Sequence, residues 1–408
     1  MRKLLVVCLA LILTLLSASV VFAQDEGDTA ASPFVACGVL EGDDCDLLLT
    51  AWKNMEQLTS GSSESNLALD VSNVPNLPMD RINLEVHRTA QFNADEALVQ
   101  RLIDLQAMSS EEISALLADQ DEYRALTAEL IAGLDTAQTL NFTFSEELAA
   151  TISEAAGMNI PTELKLDLVL KDGTVYIFLD DIIKFVPNIP PLLRGWVGIQ
   201  IQPLIDQALA DPDALGLPVG PEMLEFVAPG VGLAGVGLAM HAPLNRYADA
   251  YRQDDGSSDT ATYEVDENFV GYFTSSEFRD LLMLVLEQAD VAPEGELTAD
   301  DVDQMASVLT MLAPVLFEDL SYTLMHEVDT ASETVTSVAG VLDWDTTGLF
   351  ETIATLQNSD EMMVESPPKI YMEGETVYSD SNSGAQVQAP GGAFVLPVQM
   401  IMGILGGM

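Results

Sequence analysis

Apolar residues along this chain recur with two periods, two and about 3.6, and the places where one gives way to the other mark its elements. Period two dominates. In "NLALDVS" Leu67, Leu69 and Val71 alternate with Asn66, Asp70 and Ser72. In "INLEVHRTAQF" Ile82, Leu84, Val86, Ala90 and Phe92 alternate with Asn83, Glu85, His87, Thr89 and Gln91. Such alternation predicts strands with one buried and one solvated face. The clearest local pattern is "TELKLDLVLKDGTVYIFLDD". Its Asp172-Gly173 pair predicts a two-residue hairpin turn, which sets Leu170 against Val175, Leu168 against Ile177, and Leu166 against Leu179. These six side chains then form an aliphatic wall, with Lys165 opposite Asp180 and Val169 opposite Tyr176 on the other face.

Helical spacing interrupts the strands. "DCDLLLTAWKNMEQLTS" places Leu48, Trp52, Met55 and Leu58 on one stripe, predicting a helix that starts at Cys45. From about 95 to 134 the period changes again. Leu98, Leu102 and Leu105 form one stripe; Ser109 and Glu112 offer a capping box before Ile113, Leu116 and Leu117; Tyr123, Leu126, Leu130 and Ile131 extend a third helix. A helical insert between sheet segments is expected there. Beyond the hairpin come a short strand around Trp196 to Ile201 and a helix after Pro203. The C-terminal half follows the same alternation of strands and helices. It has two strands in "NRYADAYRQDDGSSDTATYEV", amphipathic helices in "SSEFRDLLMLVLEQA" and "TADDVDQMASVLTML", strands in "SYTLMHEVD" and "TVTSVAGVLDWD", and a last pair near "KIYMEG" and "AQVQAP". The total is nine to eleven strands with helices to one side.

The amino terminus changes the compartment. Arg2 and Lys3, the apolar run "LLVVCLALILTLL" and the small residues of "VFA" read as a signal peptide, residues 1–23. Residues 24–36, "QDEGDTAASPFVA", are a polar tether, and 37–408 form one domain. Removing the signal takes Cys8 with it and leaves Cys37 and Cys45, which an oxidising compartment would join in one local disulfide. The tail from Phe394 to Met408, broken by Pro397, is short for a membrane span, so no transmembrane segment is expected after signal removal.

Charge and motifs narrow the chemistry. Without Arg2 and Lys3 the chain carries 13 basic against 65 acidic residues, a formal charge of about −52. Such a field repels nucleic acid and anionic headgroups, while 48% hydrophobic residues exclude global disorder. Gly230 to Gly235 spell GxGxxG in "FVAPGVGLAGVGLAM", but Pro229 and Pro243 flank it and no βαβ unit surrounds it. "DWDTTGLFE" spaces Asp343, Asp345, Thr347 and Gly348 like the start of a calcium loop, yet its twelfth position is Ala354; it reads as a strand end and turn. "DDGSSD" reads as a solvated hairpin tip. His87, His241 and His326 do not cluster, and no HExxH, CxxC or GxSxG occurs. No catalytic residue, metal ligand or cofactor is therefore expected. The 17 methionines, some in "EMMVE" and "VQMIMGILGGM", suit a core or a plastic apolar cavity.

The order of "AWKNMEQLTS", alternating strands, "LVLKDGTVYIFLDD", "RGWVGIQI", "YEVDENFVGYFTSSEFRDLL" and "APGGAFVLP" resembles envelope lipoproteins of the mycobacterial lipid-carrier type, relatives of the outer-membrane lipoprotein carriers. The resemblance implies an α+β fold: a strongly curved antiparallel half barrel whose concave side is covered by helices, around an apolar cavity for acyl chains. The chain departs from that family at the anchor, since Cys37 follows 13 residues of tether after the cleavage site. The expected function is that of an exported, non-enzymatic protein binding a lipid or other hydrophobic molecule. Leu166, Leu168, Leu170, Val175, Ile177 and Leu179 would line the site and Trp196 would lie near its rim. The alternative is an acidic cell-surface structural or adhesion protein that binds cations or a protein partner.

Overall fold

Twelve strands hydrogen-bond into one sheet, in the order β12-β6-β5-β4-β3-β2-β1-β11-β10-β9-β8-β7. They are β1 (Ser60–Ser72), β2 (Arg81–Ala94), β3 (Leu134–Phe144), β4 (Glu163–Lys171), β5 (Thr174–Phe178), β6 (Trp196–Gln200), β7 (Ala248–Gln253), β8 (Thr260–Glu267), β9 (Leu320–Asp329), β10 (Thr334–Asp345), β11 (Lys369–Ser379) and β12 (Phe394–Leu396). The helices are α1 (Asp43–Glu56), α2 (Glu96–Gln106), α3 (Gln120–Gly133), α4 (Glu146–Ala156) and α5 (Phe269–Phe273). This computed structural model describes residues 37, 39–40, 42–73, 80–106, 120–156, 159–181, 184, 194–203, 247–253, 259–275, 307, 311, 314–315, 317, 319–348, 350–351, 367–384 and 386–397. The expected signal peptide and tether, the glycine-rich stretch at 226–240 with His241, the helix expected after Pro203, the helices expected at 275–289 and 298–312, and the methionine-rich tail lie wholly or almost wholly outside these residues.

Every strand pair is antiparallel except β12 with β6, which is parallel over three residues. The sheet does not close: β7 and β12 are its two edges. Its strands alternate as their sequences predict. On β11 the alternation is unbroken, with Lys369, Tyr371, Glu373, Glu375 and Val377 exposed and Ile370, Met372, Thr376 and Tyr378 less so. The registers put the apolar set of each strand on one common face. Leu67 opposes Val86, Val86 opposes Phe142, and Leu140 opposes Leu166. In the other direction Met372 opposes Leu342, Leu342 opposes Tyr322, and Leu324 opposes Val265.

Helices meet this face. On α1, Leu48, Ala51 and Trp52 pack against Ala261, Tyr263, Val328 and Val335. Leu148 of α4 joins Leu84, Val86 and Leu140. Phe269 of α5 lies 6.1 Å from Tyr322, ring centre to ring centre. Between β2 and β3, α2 and α3 pack on each other through Leu98, Val99 and Leu126, with Ala94 of β2 in the same cluster. The result is a mostly β chain with a few helices.

The Asp-Gly hairpin forms as the pattern predicts. Asp172 and Gly173 take φ of 48° and 72°, the double left-handed turn that matches strand twist. The pairs Leu170–Val175, Val169–Tyr176 and Leu168–Ile177 form, but the ladder ends there. Leu179 N–H donates instead to the Gly195 carbonyl (3.0 Å), and Asp180 accepts from Gly195 N–H (2.8 Å), so the chain has begun its turn toward β6. Lys165 pairs with Asp167 at 2.9 Å rather than facing Asp180. Three further differences stand out. A strand, β3, and a helix, α4, follow the helical insert where the pattern suggests neither. "AQVQAP" is irregular where described, because β11 already has β1 on one side and β10 on the other. The final strand is β12, within "APGGAFVLP".

Cys37 and Cys45 form a disulfide, with Cα atoms 5.4 Å apart. The bond ties the chain before α1 to its first turn, and Leu40 N–H closes the loop on the Cys37 carbonyl at 2.7 Å. Replacing both cysteines with serine is expected to cost about 2–3 kcal/mol. The measurement is the urea midpoint of each protein, which should fall while the circular dichroism of the folded state stays unchanged.

Candidate functional site

The faces of the sheet differ in kind. The outer face carries Glu64, Asp70, Glu85, Asp343, Glu373 and Glu375 among small polar residues, and its cations are set among these acids. Arg81 grips Asp70 with two guanidinium nitrogens, and Lys369 bridges to Asp345. Asp345 also accepts from Thr347 N–H at 3.1 Å and from Thr347 Oγ1. These donors, Lys369 first, hold its carboxyl down at about 2. The calcium-like spacing in "DWDTTG" is thus a strand end closed by an Asp-led turn. A depression of about 340 Å³ on this face is lined by Asp70, Ser72, Arg81, Asp343, Lys369 and Tyr371, with Ile370. Both of its cations are already neutralised by carboxylates, which leaves it no charge for an anion. Among the described residues no three His, Cys, Asp or Glu side chains come together as a metal site. His87 belongs to this face and bonds Asn66 through Nδ1 at 2.8 Å.

The inner face gathers the predicted wall. Leu166, Leu168, Leu170, Val175 and Ile177 share it by register, and Leu179 packs beside Val197 and Leu396 at the β12 end. Leu170 is buried; the other five are half-buried. Trp196 does not join them. It opposes Phe178, one residue out of phase with the Ile177–Val197 pair, so it lies on the outer face with its ring 5.4 Å from Phe178. Next to it, Tyr176 lies across Gly198, where any Cβ would meet the Tyr176 ring at 2.8 Å. Toward the sheet centre the same apolar face continues through Leu67, Leu69 and Val71 of β1, Ile370 and Met372 of β11 and Leu342 of β10, all half-buried.

Polar groups interrupt this face at positions the alternation assigns to apolar residues. Arg88 of β2 is 7% exposed. Burial lowers the pKa of its guanidinium, and burial likewise pushes the Tyr378 phenol up to about 12. Opposite this pair β1 is small, with Gly61, Ser63 and Ser65 leaving room for larger neighbours. His326 of β9 is 2% exposed, opposes Tyr263 of β8 and meets the Trp52 ring edge-on at 5.6 Å. Among the described residues neither of its ring nitrogens has a hydrogen-bond partner, and burial brings its pKa down to about 4. Glu267, the last residue of β8, is 9% exposed, and neither carboxyl oxygen has a partner among the described residues. Burial pushes it up to about 8. The nearby Tyr322 phenol is raised too, by burial first and by Glu267 second. In "TATYEVDE" and "SYTLMHEVD", Glu267 and His326 follow the phase of Ala261, Tyr263 and Val265, and of Tyr322, Leu324 and Val328. That phase is the signal that reveals them.

No family model matches this chain, and no curated protein matches it significantly.

The two buried titrating groups shape stability in opposite directions. Glu267 faces Tyr322 from β9 and Ala248 from β7; His326 faces Tyr263 from β8, Val338 from β10 and Trp52 from α1. A carboxyl raised from 4.5 to about 8 keeps its proton longer when folded, so its stabilisation is full below 4.5 and is lost as pH rises to 8. A histidine lowered from 6.5 to about 4 does the reverse: its contribution is full above 6.5 and is lost as pH falls to 4. Between about 4.5 and 6.5 the two slopes oppose each other. The expected melting temperature therefore has a plateau there, an alkaline decline from 6.5 to 8 that Glu267→Gln flattens, and an acid decline that His326→Phe makes shallower. Melting curves recorded across pH 4 to 9 for the three proteins check this.

Proposed function

We propose that this is an exported, non-enzymatic protein that binds a lipid or other hydrophobic molecule on the apolar face of its sheet. The observation that carries the reading is the continuity of that face. The apolar positions of neighbouring strands share one side of the sheet, broken by a few polar groups, helices pack on the same side, and Leu67, Leu69, Val71, Ile370, Met372 and Leu342 at the sheet centre are only half-buried. A broad aliphatic surface with few polar groups suits an apolar ligand. The Cys37–Cys45 disulfide is compatible with an oxidising compartment. Among the described residues no helix is long and apolar enough to cross a membrane.

Native mass spectrometry of the purified protein tests the reading. Adducts of apolar molecules should accompany the folded chain and strip away with organic solvent. Leu69→Trp and Leu342→Trp, which fill the central face without adding charge, should reduce adduct occupancy severalfold while the far-ultraviolet spectrum stays the same. A protein that carries no adduct and takes up no lipid from neutral vesicles would sink the proposal.

A further inference from the structure

The apolar face is least expected to hold an unpaired acid, yet Glu267 is one. The residue is 9% exposed, and both carboxyl oxygens are shut off from solvent and lack partners among the described residues. A buried unpartnered carboxyl costs at least as much as a lost hydrogen bond, and far more if it is charged. An apolar residue of similar volume would fill the position at no such cost. An aromatic cluster begins next to it. Tyr322 lies beside it, Phe269 is 6.1 Å from Tyr322, and Phe273, Phe317 and Trp344 continue the ring cluster at 4.1 and 5.8 Å. Asn268, the next residue, caps α5 by accepting from Gly271 N–H at 2.8 Å, which fixes the backbone that carries the acid. Among the described residues no Lys or Arg is paired with it.

The geometry points to Glu267 as the anchor for the headgroup of a cationic amphiphile, an alkylamine-like molecule whose tail lies on the apolar face. This rests on the hydrophobic-ligand reading and adds the headgroup class. Three features favour a cation over an alcohol or an acid. The ammonium supplies the donors that both carboxyl oxygens lack. The aromatic cluster that starts at Tyr322 offers rings of the kind that attract positive charge. A chain of formal charge −50 concentrates cations around it and repels anions. Binding converts a neutral carboxyl and an ammonium into a carboxylate–ammonium pair and releases the carboxyl proton to solvent.

Calorimetric titration with dodecylamine, dodecanol and dodecanoate below their micellar concentrations, at about pH 7 and about 0.15 M salt, tests this with one tail and three heads. Dodecylamine should bind at least about tenfold more tightly than dodecanol, with dodecanoate weakest. Comparing buffers of different ionisation enthalpy should show close to one proton released per amine bound. Glu267→Gln should abolish both the amine preference and the proton release while leaving dodecanol binding unchanged. If the preference survives in Glu267→Gln, the amine is held by the general acidity of the surface and the anchor assignment is wrong. If all three bind alike, the anchor fails and the hydrophobic site stands. If none binds, both fail.

Discussion

The register between β1 and β11 is the constraint on which the rest of the structure depends. Those strands pair over eleven residues, from Ser62 with Ser379 to Ser72 with Lys369, and they form the seam between the run β12 to β1 and the run β11 to β7. A slip of one residue would turn Leu67, Leu69 and Val71 to the solvent side relative to Ile370 and Met372, and the two apolar half-faces would no longer be continuous. Both ends of the seam are pinned. At one end Asn382 accepts from Thr59 N–H and Oγ1, and Gly384 N–H donates to Ser60 Oγ at 3.1 Å. At the other, Asn73 Nδ2 donates to the Pro367 carbonyl at 3.2 Å. Within it, Thr376 Oγ1 donates to Ser65 Oγ at 2.9 Å. These partners lie 294 to 324 residues apart in sequence, and the entropy of closing so long a loop makes such a pairing slow to form.

The acidity of the chain follows from the same division of faces. Carboxylates at alternate positions of β1, β2, β10 and β11 cover the outer face, where water solvates them, and they leave few positions at which another sheet could stack. Edge strand β7 presents Asp249, Tyr251, Arg252 and Gln253 to solvent, which blunts a row of unpaired backbone groups. Two cations bridge neighbouring elements: Arg252 to Asp44 joins β7 to α1, and Lys171 to Asp135 joins β4 to β3 at 2.7 Å. Exposed pairs of this kind contribute little each; their consequence is orientation of the strands they join.

Much of the strand content is legible in the sequence because alternation and turn chemistry agree within single segments. The Asp-Gly hairpin, β1, β2, β7 to β11 and α1 all read directly from it. What escapes has physical causes. β3 is flanked by helices with no proline turn before it, and its alternation of Leu140, Phe142 and Phe144 with Asn141 and Thr143 begins at Thr136 and Gln138, which are polar where the apolar phase should start. Trp196 is expected near the rim of the site, but its face is set by the turn from Asp180 to Gly195, whose length no local pattern fixes. "AQVQAP" alternates well enough for a strand, but its expected partner β11 is already paired on both sides. The interior set is half visible: the hairpin residues are apparent, whereas Arg88, Glu267 and His326 are hidden by their polarity, although each holds an apolar phase.

Those three polar residues bear on what the inner face is for. A face selected for stability alone would continue its apolar phase at positions 88, 267 and 326, since replacing buried polar groups with packed apolar ones is often neutral or favourable. The costs here are not shared equally. Arg88 has Tyr378 as its electrostatic neighbour across a strip of small residues on β1, so the sheet has been shaped around it. His326 remains neutral under α1, with an indole edge against its ring, and behaves as a flat filler. Among the described residues Glu267 has neither arrangement: its oxygens have no hydrogen-bond partner there, and they lie on the same face as an aliphatic surface and near the Tyr322 phenol. Of the three, it is the one acid, and so the one that a cationic headgroup would match.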